Sequence, residues 1–127
     1  LSRTEYQKQW ATENRNAVIK SKRKYNLKNK LIINESSRLR KSYQRLMVLE
    51  YYSGGKLECN CCGESEYDFL TIDHINGGGY KHKKEVKGHI EIWLIMNGFP
   101  DGFQVLCWNC NCGRHKNGGV CPHKNSR

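Results

Sequence analysis

Polar and apolar positions divide this chain into stretches of different character. Residues 4–33 are polar and basic and contain neither Pro nor Gly, which favours helix. Residues 7–14 and 22–29 are faintly self-similar at an offset of fifteen residues, close to four helical turns, so Trp10 and Tyr25 fall near one face. A second helix is expected over 37–52, capped by Ser36 or Ser37, with Leu39, Leu46, Val48, Leu49 and Tyr52 supplying apolar contacts and Ser53-Gly54-Gly55 ending it. Residues 69–73 read as a strand through Phe69, Leu70 and Ile72. Residues 88–97 suggest a short amphipathic helix through Ile90, Trp93 and Leu94, stopped near Gly98 and Pro100. A second strand follows at 103–106 and a helix at 108–115. Gly77-Gly78-Gly79 marks a loop that needs unusual backbone angles or a close approach.

The two strands and the last helix are bracketed by cysteines. Cys59/Cys62 and Cys107/Cys110 are two Cys-x-x-Cys pairs, the spacing that lets paired sulfurs reach one tetrahedral ion, so they read as four thiolates for one structural zinc. With 37% hydrophobic residues and a mean hydropathy of −0.82, the core is modest and a metal staple helps it fold. The cysteines number seven, an odd count that argues against a secreted disulfide framework. With no signal peptide seen, the expected setting is an intracellular, reducing compartment, cytoplasmic or nucleoid-associated. The most apolar stretch, 90–99, is too short to span a membrane and carries Glu91 and Asn97. Among the other thiols, Cys61 can replace a neighbour as ligand. Cys121 and His123 offer half of another site, with Cys112 or His82 to complete it; these residues are assigned no metal.

Charge sharpens the division. The net charge is +10, and residues 1–50 carry 13 Lys/Arg against 4 Asp/Glu while residues 51–127 carry 9 against 8. A basic arm on a near-neutral domain implies a polyanion, most often nucleic acid. Lys20, Lys22, Arg23, Lys24, Lys28 and Lys30 form the densest cluster, joined by Arg38, Arg40, Lys41 and Arg45 from the second helix. Either this arm lays cations along a phosphate backbone, ordering on contact, or Trp10 and Tyr25 dock it on the domain or a partner.

Between the cysteine pairs lies Phe69-Leu70-Thr71-Ile72-Asp73-His74, and Asn111 directly follows the last pair. The order Cys-x-x-Cys, Asp-His, Cys-x-x-Cys-Asn resembles the HNH (ββα-metal) endonucleases, and among them the zinc-ribbon branch that includes phage recombination endonuclease VII. The resemblance covers residues 57–116. It implies an α+β fold: a small zinc-stapled, treble-clef-like ββα-metal module preceded by basic α-helices. It implies that His74 is the general base that takes a proton from water, and that Asp73 and Asn111 hold a catalytic divalent cation, usually Mg2+, through oxygen. His115, four residues after Asn111, shares its helix face and is a candidate for contact with metal or scissile phosphate. Arg114 stands where the family is often basic and implies a phosphate contact. Many members carry a further Asn about five residues before the third cysteine. Here that place is Gly102, beside Asp101, with Gln104 or Asn76 as available substitutes.

The resulting organisation is a basic helical nucleic-acid-binding extension over 1–35, a packing helix and linker over 36–56, and a zinc-bound nuclease domain over 57–127. The expected activity is metal-dependent hydrolysis of DNA phosphodiesters. The reading from a different class is a non-catalytic zinc module that binds DNA or structured RNA, for example within a ribonucleoprotein.

Overall fold

The computed structural model describes residues 1–125. The chain falls into two units, Leu1–Arg40 and Lys41–Arg127. The first is helical throughout: α1 (Arg3–Glu13), α2 (Arg15–Lys28) and the opening turns of α3 (Lys30–Tyr52). Asn14 and Asn29 separate these helices. In each, the backbone N–H and the side-chain Nδ2 both donate to the carbonyl four residues back, Trp10 O at 2.9 and 2.9 Å and Tyr25 O at 3.0 and 2.9 Å. The fifteen-residue self-similarity is thus a repeated helix end, where a short polar side chain competes with the backbone for a turn of helix. No residue of α1 or α2 is buried, and Trp10 and Tyr25 are exposed.

The helix expected to begin at 37 begins instead at Lys30, and Ser36 and Ser37 lie inside it rather than capping it. Asn29 has already supplied the break, and no Gly or Pro follows to make another. Val48 and Leu49 are buried as expected. Leu39 and Leu46 are exposed. Tyr52 packs against the core of its own unit, and its hydroxyl donates to Pro100 O at 2.6 Å. Arg45, expected on the exposed side for phosphate, is half-buried and bonded within the second unit. Its Nη2 donates to Leu70 O at 2.8 Å and Tyr67 O at 3.1 Å, and its guanidinium lies 4.4 Å above the Tyr67 ring.

The second unit is α+β. β1 (Leu70–His74) and β2 (Phe103–Cys107) pair antiparallel, with Leu70 opposite Cys107 and His74 opposite Phe103. Phe69 falls in a single 3-10 turn, Tyr67–Phe69, just before β1. Between the strands are inserted α4 (Gly79–Glu85) and α5 (Ile90–Met96). β2 runs directly into α6 (Trp108–Lys116), and α7 (Pro122–Asn125) follows. The core is small: Leu49, Leu70, Val105 and Leu106 meet Cys59, Cys107, Cys110 and Cys121, so four of its eight buried members are cysteines. A centre so rich in metal donors is where a metal staple adds most. Among the described residues no helix is long and apolar enough to cross a membrane.

Candidate metal centre and adjoining cleft

The first Cys-x-x-Cys pair sits on a tight loop bounded by left-handed backbone at Leu57 and Gly63 (φ 50° and 77°). Cys59 N–H donates to Glu64 O at 2.8 Å, and Asn60 N–H reaches across to Val105 O at 2.9 Å, which fastens the loop to β2. The second pair uses a strand-to-helix junction. Cys107 ends β2 and caps α6, its Sγ accepting from Cys110 N–H. Sγ atoms of Cys59, Cys62, Cys107 and Cys110 lie within 4.8 Å of one another, with Cys62 and Cys107 at 3.7 Å. Zinc bonded to sulfur at about 2.3 Å gives tetrahedral S–S edges of about 3.8 Å. The set expected from spacing is therefore assembled and could hold a metal ion such as zinc. Burial opposes ionisation of Cys59, but N–H donation from Cys62, Cys107 and Cys61 outweighs it and brings the thiol down to about 7.

The half-site offered by Cys121 and His123 is completed by residues other than those the sequence suggested. Cys61, Cys110, Cys121 and His123 also lie within 4.8 Å of one another. The partners anticipated for Cys121 and His123 were Cys112 or His82. Cys112 is exposed and belongs to neither group, and His82 is bonded elsewhere. The tail returns to the first knuckle because Gly113 admits it. A Cβ there would come within 3.0 Å of Pro122 Cδ.

On the far side of α6 a cleft of about 620 Å3 is lined by Asp73, His74, Asn111, Arg114 and His115, with glycines 77–79 and 118–119 around its rim. Strand alternation sends Asp73 and His74 to opposite faces of β1. Asp73 turns toward α6. Its Oδ2 accepts from Gln104 Nε2 at 2.9 Å, across the strand pair, and from Arg114 Nη1. Arg114 is held in full: Nη1 also donates to His74 O, Nη2 to Ile75 O and Nε to Gly119 O. Asn111 Nδ2 donates to Thr71 Oγ1 at 2.9 Å, which fixes the amide so that its carbonyl oxygen is the free end. Asp73 and Asn111 line one cleft, and carboxylate and amide oxygens are hard donors, unlike the thiolates of the cysteine centre. His115 is exposed on the same rim.

His74 lies against Phe103 and His82, with ring centroids 4.8 and 5.1 Å away. Its Nε2 is 2.8 Å from His82 Nδ1. The other nitrogen, Nδ1, faces Gly79, where a Cβ would stand at 3.1 Å. The triple glycine thus has both uses expected of it: Gly77 and Gly78 turn the chain at φ 73° and 81°, and Gly79 makes room for the ring. Burial first, then the neighbouring His82, hold His74 below its ordinary value of 6.5, with Asp73 pulling the other way. The imidazole is therefore kept neutral. His82, considered in the sequence only as a further metal donor, is here the partner of His74. Gln104, one of the substitutes considered for the absent Asn, bonds Asp73, while Gly102 closes the strand pair by accepting Ile75 N–H at 3.0 Å.

Lys20, Lys22, Arg23, Lys24, Lys28 and Lys30 are exposed on α2 and at the start of α3, as are Arg40 and Lys41. Arg38 is exposed but paired with Glu35 at 2.7 Å. Lys20, Lys24 and Lys28 are four residues apart and form a row along one helix face. No protein-family model matches the chain, and neither a curated protein nor a solved structure matches it.

Proposed function

We propose that the chain is a divalent-cation-dependent HNH-type endonuclease acting on DNA. The observation that carries this reading is the meeting of Asp73, His74 and Asn111 on one cleft, at the end of β1 and on the helix after β2, beside the four-cysteine centre. In the reactive tautomer His74 Nε2–H donates to His82 Nδ1, which leaves the Nδ1 lone pair to take a proton from water. The depressed basicity of His74 keeps that lone pair available at neutral pH. A cation held by Asp73 and Asn111 supplies charge neutralisation at the phosphate and the leaving oxygen. Arg114 shares Asp73 with that cation and brings its positive charge to the same phosphate. His115, on the rim, meets the flanking backbone. The arm grips phosphates without reading bases, and zinc in the cysteine centre holds β2 and α6 in register beneath the cleft.

The test is nicking of supercoiled plasmid with Mg2+ or Mn2+. His74→Ala is expected to lower cleavage about 10^2- to 10^4-fold with DNA affinity unchanged. A wild-type protein that binds DNA but cleaves no form of it with either cation overturns the reading. One observation favours a second reading in that case. Arg114 is satisfied wholly by protein acceptors, Asp73 among them, as in a structural ion pair at the heart of a non-catalytic zinc module for DNA or structured RNA.

A further inference from the structure

We propose that the cysteine centre is dinuclear: two zinc ions share the thiolate of Cys110, one completed by Cys59, Cys62 and Cys107, the other by Cys61, Cys121 and His123. The two donor sets have four members each and only Cys110 in common. One tetrahedral ion takes four ligands, so seven donors exceed what a single zinc can use. Cys110 is completely buried between the sets, as a sulfur that must reach two ions has to be.

The second set has the dimensions of a site. His123 Nδ1 stands 3.3 Å from Cys110 Sγ and 3.5 Å from Cys121 Sγ. With Zn–S of about 2.3 Å and Zn–N of about 2.0–2.1 Å, a tetrahedral N–S edge is about 3.5 Å. The tail is also built to stay there. Gly113 admits Pro122 against α6, Asn117 Nδ2 donates to Val120 O at 3.0 Å, and Arg114 Nε holds Gly119 O at 2.9 Å. Chemically the step balances. The second Zn2+ forms bonds to the sulfurs of Cys61 and Cys121, whose two protons leave to solvent. It takes a lone pair from neutral His123 and a further lone pair from Cys110, already a thiolate on the first ion. The net charge of the cluster is unchanged, so a second cation enters the core without an added charge to bury.

The experiment is metal analysis of the full chain purified from zinc-supplemented expression, with cadmium-113 NMR of the exchanged protein. The expected result is two zinc equivalents per chain and two cadmium resonances that split each other through the shared sulfur. Cys121→Ser with His123→Gln is expected to lose one equivalent and one resonance and to keep the other. A single equivalent in the wild-type protein overturns the proposal. So do two uncoupled resonances, or a second equivalent that survives the double substitution. The wild-type measurement stands even where a variant fails to fold, and none of these outcomes depends on nuclease activity.

Discussion

The arm and the second unit hold their helices by opposite means. In α1 and α2 nothing is buried. Their order rests on bonds between residues three or four apart: the Ser2–Glu5 capping box, and Asn14 and Asn29 closing on carbonyls. In the second unit the bonds that matter join distant segments. Asn60 reaches Val105, Arg45 reaches Tyr67 and Leu70, Asn111 reaches Thr71, and Arg114 reaches Asp73. An arm built locally can change shape against a partner at little cost to the rest of the chain. A unit built from long-range bonds around a few buried side chains fails as a whole when its centre fails.

Metal removal tests that contrast with the largest effect. Structural zinc sites contribute on the order of 10–16 kcal/mol in small domains, as much as the whole stability of an ordinary one, about 5–15 kcal/mol. Chelation, or Cys107→Ser, is expected to abolish the cooperative thermal transition of the second unit. The helical signal of α1 and α2 should remain. Retention of the transition in metal-free protein would show that apolar packing alone holds the core.

How much of this was legible in the sequence follows the same division. The strands, α6 and the two cysteine pairs are written in local period and spacing, and they stand within a residue or two of where the pattern puts them. The contacts that shape the cleft are not local. His82 bonds a residue eight positions away through the turn of three glycines, Arg114 crosses forty-one positions to Asp73, and Cys61 meets His123 only because the tail folds back over Gly113. Arg45 looked like one more cation of a basic helix. Nothing in its neighbours' sequence says that two strand-end carbonyls await it.

Deleting residues 1–34 tests the arm as a polyanion grip. If the cluster from Lys20 to Lys30 contacts phosphates, each contact adds about −0.9 to the log–log salt slope, so six contacts account for about −5. The truncated protein is expected to bind far more weakly near physiological salt and to lose most of that slope. Its thermal transition should be kept. An unchanged slope would assign the arm to a protein partner.

Arg45→Met gives a smaller, structural effect inside the second unit. It removes two charge-assisted bonds, to Leu70 O and to Tyr67 O, the second of which keeps the Leu70 N–H as donor, and costs about 2–4 kcal/mol. The melting temperature should fall while DNA affinity stays the same. A loss of affinity at unchanged stability would return Arg45 to the phosphate-binding set.

The smallest effect lies at the start of α1. Ser2 N–H donates to Glu5 Oε2 at 2.7 Å, and Glu5 N–H donates to Ser2 Oγ at 3.3 Å. The Ser2 backbone bond, then the Ser2 side chain, lower the Glu5 carboxyl below its ordinary 4.5. A depressed carboxyl binds fewer protons in the helix than out of it. Its contribution is therefore present above 4.5 and fades as pH falls through the lowered value. On acidification of the full chain, the chemical shift of the Ser2 amide proton is expected to move with that midpoint. Glu5→Gln should remove the titration, and Ser2→Ala should move the midpoint back toward the ordinary value. Because every bond involved is local, amides beyond α1 should not follow Glu5. Signals of the second unit that titrate in the wild-type chain but not in Glu5→Gln would show that the first turn of the arm is coupled to the core after all.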